Sequence, residues 1–257
     1  MEDVVVFAAL AWEAASALDG LQGVERLGPR AWRGYLGDGA AVRVLQVGLG
    51  LDRAAAAAAA APPARAFLSC GCAGALASGL APGDMVLGTR VVALDPNGGT
   101  SELAVAADPI ARWAAGRGVA LGSGAVASSR VVLADAAAKR RAARTGALVV
   151  EMESAAIVAA ARLRQIPCAA VKVVLDEADL TLDLPADGLV DGATGDLDVR
   201  RAIATIAVHP RRWPAVVRLA RAQRVAEHRL REFLAMLFSA GLDALGLAPG
   251  VPEARVG

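Results

Sequence analysis

Residues Val149–Asp179 read VVEMESAAIVAAARLRQIPCAAVKVVLDEAD, and this alternation of apolar runs with acids decides the fold. Leu148, Val149 and Val150 form a short run of strand type. Glu151, Met152, Glu153 and Ser154 then open a segment, Ala155 to Leu163, dominated by good helix formers. Pro167 marks the next break. Cys168 to Leu175 is a continuous apolar run interrupted by Lys172 alone, the pattern of a strand covered on both faces. Asp176 stands at its carboxyl end, with Glu177 and Asp179 beyond it. Strand, helix, strand in this order predicts an α/β fold, in which ligands bind at the carboxyl ends of strands. Spacing alone leaves two readings of the acids. Either Glu151 and Glu153 start a helix, where the dipole favours negative charge, and Asp176 begins a turn. Or the three acids share a site at two strand ends joined by one crossover helix.

The bulk properties narrow the class. A chain of 257 residues suits one sizeable α/β domain. That domain is expected over residues 1–240, with a basic helical region at 199–240 and a tail at 241–257. The formal net charge of +1 argues against nucleic acid as a partner. Apolar residues make up 56% of the chain but are largely alanine, and no window of eighteen is strongly apolar and free of charge, so no membrane span is expected. Met1-Glu2-Asp3 runs straight into the apolar stretch Val4 to Leu10, which does not read as a secretory signal. The odd cysteine count (Cys70, Cys72, Cys168) then reads as reduced thiols in a cytoplasmic protein. No metal site is expected, because Cys70 and Cys72 lack a second pair and the two histidines, His209 and His228, lie far along the chain.

Further elements follow outward from the central stretch. Val4 to Ala9 is a buried-strand pattern and Trp12 to Leu18 a helix, with Glu13 as a first-turn carboxylate. Ala41 to Val47 reads as a strand ending in Gly48-Leu49-Gly50. Asp52 is expected to cap the alanine run Ala54 to Ala61, which Pro62-Pro63 stops. A glycine pair before a helix can hold an anion on free backbone N–H groups. Ala66 to Cys70 is the next strand, and Gly71 to Leu76 reads as a glycine turn that lets backbone approach a ligand closely. Residues 177–198 read as a long acidic loop, and residues 199–240 as helix with nine arginines between Arg200 and Arg231.

Several of these motifs together resemble the purine nucleoside phosphorylase/nucleosidase superfamily. VVEMESAA, a helix, a strand and LDEAD are similar to the VEME and SDxAD segments of the methylthioadenosine/adenosylhomocysteine nucleosidases. The resemblance implies a three-layer α/β sandwich with a twisted mixed sheet between helices, and cleavage of an adenine N-glycosidic bond. It implies that Glu153 binds the ribose hydroxyls, that Met152 and Glu151 lie beside the sugar, and that Asp176 protonates the purine; Leu175 stands where the family usually has Ser. FAALAWE (residues 7–13) is similar to the family's GAMEEE segment and puts Glu13 on the acid that activates water, with Phe7, Ala11 and Trp12 replacing its leading glycine and flanking acids. Gly71-Cys72-Ala73-Gly74-Ala75-Leu76, followed by Pro82-Gly83-Asp84-Met85-Val86, resembles GxAGxL and PGD[IV]V, with Ala73 and Gly74 near the substrate. GSGAVASSRVV (residues 122–132) resembles the segment that reads the purine edge, with Val131, Val132 and Leu133 flanking the base. Gly50, Cys72, Arg53 and Arg130 fall at the phosphate or water site. Arg130 also reads as plain surface charge. Ser69 and Cys72 stand where hexameric phosphorylases carry Arg and Ser or Thr, so that phosphate clamp is missing here as it is in the nucleosidases.

The last third sharpens the expectation. HPRRWPAVVRLARAQ (residues 209–223) resembles the hopanoid-associated phosphorylases, proposed to remove adenine from adenosylhopane. That implies phosphorolysis of a lipid-linked nucleoside with phosphate as co-substrate and no cofactor, in a homo-oligomer that meets the membrane peripherally. Hydrolysis of methylthioadenosine or adenosylhomocysteine is the alternative, and a nucleoside-binding protein the non-enzymatic one. The tail helix carries its own pair of readings. Its apolar stripe docks on the domain, or its arginines meet anionic headgroups.

Overall fold

The computed structural model describes residues 2–95, 97–180 and 213–247. Much of the expected acidic loop, the HPRR passage and the end of the tail lie outside the described residues. Among the described residues ten strands form one mixed sheet: β1 (Glu2–Ala8), β2 (Gln22–Gly28), β3 (Ala31–Tyr35), β4 (Ala41–Gln46), β5 (Ala64–Ala75), β6 (Met85–Leu94), β7 (Thr100–Ala104), β8 (Gly122–Ser128), β9 (Ala147–Glu151) and β10 (Cys168–Asp176). Their order is β10-β6-β8-β9-β5-β1-β4-β3-β2, with β7 on β6. Because β10 also pairs with β5, the strands β10, β6, β8, β9 and β5 close into a ring. β1 lies parallel to both β4 and β5, and β10 runs parallel to β5 but antiparallel to β6.

Among the described residues six helices cover this sheet: α1 (Ala11–Leu18), α2 (Leu51–Ala60), α3 (Asp108–Gly116), α4 (Ala136–Ala143), α5 (Ser154–Leu163) and α6 (Trp213–Ser239). The central strand β1 shows why the sheet is sandwiched. Its side chains alternate between faces, and both faces are apolar. Val4 and Val6 pack with Ala14 and Ala17 of α1, Trp113 of α3 and Phe233 of α6. Val5 and Phe7 pack with Ala54 and Ala58 of α2 and Ile157 of α5. The alanine run therefore has a packing reason: Ala54 and Ala58, one helical turn apart, let α2 sit against α5. The expected three-layer α/β sandwich is what the chain adopts.

Two local expectations need correction. Gly71 to Leu76 is not a turn, because β5 continues unbroken to Ala75. Its glycine-rich half is held on both sides, by β10 and by β9. Nor does Asp52 cap α2: Gly50 is the N-cap, at φ 108°, and Asp52 lies inside the first turn.

The C-terminal helix docks on the domain. Ala222, Ala226, Leu230, Phe233, Leu234, Leu237 and Phe238 are buried at helical spacing, and burying each of the larger ones contributes about 1.5–3 kcal/mol. Arg221 and Arg224 face solvent. The chain then makes a short 3-10 turn, Gly241–Leu245, in which Leu242 is buried and its N–H donates to Asp38. Residues 241–247 thus pack on the body rather than trailing from it. Among the described residues no helix is long and apolar enough to cross a membrane.

Candidate active site

One cavity of about 240 Å³ opens at the carboxyl ends of β5, β9 and β10, with Glu13, Cys72, Ala73, Gly74, Met152, Glu153 and Asp176 among its lining residues. Its remaining walls are mostly apolar, including Leu10, Leu49, Leu133, Leu175 and Leu219. Val131 and Val132 also line it and are 63% and 42% exposed. The tertiary fold thereby brings acids from three distant parts of the chain to one space.

Glu13 enters from the first turn of α1. Its carboxylate accepts the N–H groups of Ala9 and Leu10 at 2.9 Å each, and that of Cys72 at 2.7 Å. A Cβ on Gly71 would stand 2.8 Å from this carboxylate, so glycine is needed there. Burial pushes the Glu13 carboxyl above its ordinary range despite the three N–H donors.

Glu153 is the N-cap of α5, and its carboxylate accepts Gly50 N–H at 2.7 Å and Met152 N–H at 3.2 Å. The helix N-terminus that could have held an external anion thus gives its N-cap amide to the chain's own Glu153. Burial, and then the charge of Glu151, push the Glu153 carboxyl up to about 8. Glu151, at the end of β9, is satisfied by the protein itself. It takes hydrogen bonds from Ser128 Oγ, the N–H groups of Glu153 and Ser154, and Ser154 Oγ. Lys172 Nζ stands 3.0 Å away, both side chains being buried. Burial alone would raise Glu151, but Lys172 and these donors outweigh it and hold the carboxyl below its ordinary value. Lys172 itself is raised, because its buried carboxylate neighbours outweigh its own desolvation. Glu151 therefore orients the start of α5, and with it Glu153, rather than presenting a free carboxylate.

Asp176 ends β10, nearly buried, and forms an ion pair with Lys139 Nζ, which also donates to the Glu177 carbonyl at 2.6 Å. A Cβ on Gly74 would come within 3.1 Å of Asp176 Oδ1. Lys139 lies on α4, 2% exposed, and lines the cavity. No sequence signal marked it: in AAAKRRAA it reads as one cation of a solvated face, yet Arg140 and Arg141 are exposed and Lys139 turns inward with Ala142. Lys172 did carry a signal, since a cation inside a buried strand requires a buried anion. Leu219 was missed because it arrives from α6, far along the chain.

The two arginines expected at a phosphate site stand elsewhere. Arg130 pairs with Asp52 at 3.1 Å, more than half exposed, which is its surface-charge reading. Arg53 donates to the Leu49 carbonyl at 3.3 Å and is not among the cavity's lining residues. Cys72 does line it, but burial and the Glu13 charge hold its thiol well above the ordinary range, so it is a packing and backbone contributor rather than a nucleophile.

The phosphorylase superfamily model matches residues 3–207. Among solved structures, the chain is similar to the 5′-methylthioadenosine/S-adenosylhomocysteine nucleosidase of Neisseria meningitidis in complex with methylthio-immucillin-A. The two are 20% identical with a TM-score of 0.69, over 93% of this chain and 100% of that one. The futalosine hydrolase of Helicobacter pylori gives 15% identity and a TM-score of 0.66, over 92% and 98% of the two chains. No curated protein sequence matches significantly.

Proposed function

Because the chain belongs to the phosphorylase superfamily, we propose that it cleaves the adenine N-glycosidic bond of a 5′-substituted adenosine. The observation that carries this reading is the convergence of Glu13, Glu153 and Asp176 on one cavity whose other walls are mostly apolar. A ribosyl cation forming between them needs three services, and each acid suits one. Glu153 accepts from the 2′- and 3′-hydroxyls and fixes the sugar as charge develops. Asp176 faces the departing purine at N7. Glu13 stands on the nucleophile side, held by backbone amides that leave its orientation no freedom. The similar proteins support the substrate class: one is a 5′-methylthioadenosine/S-adenosylhomocysteine nucleosidase and the other a futalosine hydrolase.

The apolar lining suits a hydrocarbon 5′ substituent, and a hopanoid is such a group. Leu219 on α6 lengthens that wall toward a helix whose Arg221 and Arg224 face solvent. Water is the nucleophile the geometry favours, since a phosphate would meet the Glu13 and Glu153 carboxylates. One observation favours phosphorolysis as the second reading: both carboxyls are raised, and in protonated form they donate to a phosphate oxygen instead of repelling it.

The test is product analysis with adenosines bearing 5′-methylthio and 5′-alkyl groups, with and without phosphate. Adenine with free ribose product supports hydrolysis, and adenine with a ribose 1-phosphate supports phosphorolysis. Tight binding with no adenine released under either condition refutes catalysis and leaves a nucleoside-binding protein.

A further inference from the structure

The chain has two lysines, Lys139 and Lys172, and at every other Lys-or-Arg position it uses arginine. Both lysines are 2% exposed, and both are paired with acids at the cavity. Their environments differ in one respect. Lys172 lies behind Glu151, bonded to Ser69 Oγ at 3.0 Å, and does not line the cavity. Lys139 lines it and, among the described residues, donates to the Asp176 carboxylate and the Glu177 carbonyl. An ammonium can surrender a proton in such a site, whereas a guanidinium cannot. A carboxylate paired with a cation has no proton of its own to give, so an acid role for Asp176 needs a supplier.

We propose that Lys139 supplies the proton that Asp176 passes to the purine. The inference rests on the adenine-cleaving reading above and names the proton source within that site. As the C1′–N9 bond breaks, its electron pair goes to the purine. N7 takes a proton from the Asp176 carboxyl group, and Lys139 Nζ gives one to that carboxyl group. The step leaves adenine protonated at N7, an ionised Asp176 and a neutral Lys139 amine. The amine regains its proton from solvent after the base departs. The nucleophile that takes C1′ does not alter this balance. Lys139 acts through Asp176, so it is a positioning and proton-supplying residue.

Leaving-group dependence tests this directly. In the full-length protein, Lys139→Met removes the proton, and Lys139→Arg keeps the charge without a proton to give. Each is assayed on 5′-methylthioadenosine and on a 5′-methylthio nitrophenyl β-riboside, whose nitrophenolate leaves without protonation. The expected result for both variants is a loss of about 10²–10⁴-fold in kcat on the adenosine, the usual worth of general acid catalysis. On the nitrophenyl riboside the loss is expected to stay below about tenfold, a small fraction of that acid-catalytic worth. Equal losses on the two substrates make Lys139 merely structural and overturn the proposal. So does recovery of adenosine cleavage by Lys139→Arg, which would show that charge alone suffices. If wild type cleaves neither substrate, the adenine-cleaving reading itself fails, and the proton role falls with it.

Discussion

Replacing Glu153 by Gln should make the empty protein less stable in mild acid and more stable in mild base. The unfolded chain ionises Glu153 near the ordinary 4.5, whereas the folded chain holds its proton up to about 8. Between those values the unfolded state binds fewer protons than the folded one, so wild-type stability falls as pH rises. The slope is about 1.4 kcal/mol per pH unit, and the loss by pH 8 is at most ~5 kcal/mol. Below pH 4.5 this contribution is fully retained. The amide carries no such dependence, but it has a fixed cost. Its single oxygen can accept from Gly50 N–H or Met152 N–H, not both, and a buried donor left facing an NH₂ group costs about 1–3 kcal/mol. The variant should therefore be less stable by about 1–3 kcal/mol near pH 4.5 and more stable by ~2–4 kcal/mol at pH 8. Urea unfolding of both proteins without ligand, at pH 5, 6, 7 and 8, measures the difference. A difference that stays constant across that range would refute the argument that burial and the Glu151 charge keep Glu153 protonated.

The other expectations are simpler. Asp176→Asn should lower base release from an adenosine by about 10²–10⁴-fold while substrate binding, measured calorimetrically, changes little; near-normal turnover removes Asp176 from the mechanism. Lys172→Met should destabilise by about 3–5 kcal/mol, because it strands the buried Glu151 carboxylate; combining it with Glu151→Gln should recover much of that loss in thermal unfolding, and no recovery would mean that the pair is not coupled. Gly37→Ala would set a Cβ 2.4 Å from the Ser239 carbonyl oxygen and should cost about 1–3 kcal/mol by displacing the end of α6; an unchanged melting temperature contradicts that contact. If α6 meets anionic lipid, vesicles rich in phosphatidylserine should bind the protein at low salt, each arginine contributing about 1 kcal/mol. Arg221→Gln with Arg224→Gln should then weaken binding without touching activity on a soluble adenosine. No binding at low salt leaves α6 as packing alone.

The sequence by itself determined a good deal. Continuous apolar runs marked β1 and β10, because a strand covered on both faces has no polar positions to spare, and the run of β4 was legible by the glycine pair that closes it. Glu13, Glu153 and Asp176 were legible as acids at element ends, where isolated charge demands a reason. Only the tertiary structure decided their company. That β10 also closes onto β5 is a matter of long-range pairing, to which local pattern is blind. That closure carries Asp176 toward Gly74, and the packing of α4 then sets Lys139 beside it. Gly50 looked like a free anion site until Glu153, a hundred residues away, took its N–H. Arg53 and Arg130 looked available for phosphate because a sequence gives a side chain's charge and not its direction. Lys139 is the converse case. A single residue along the helix separates the buried Lys139 from the solvated Arg140, and only the neighbour it meets decides which a cation becomes.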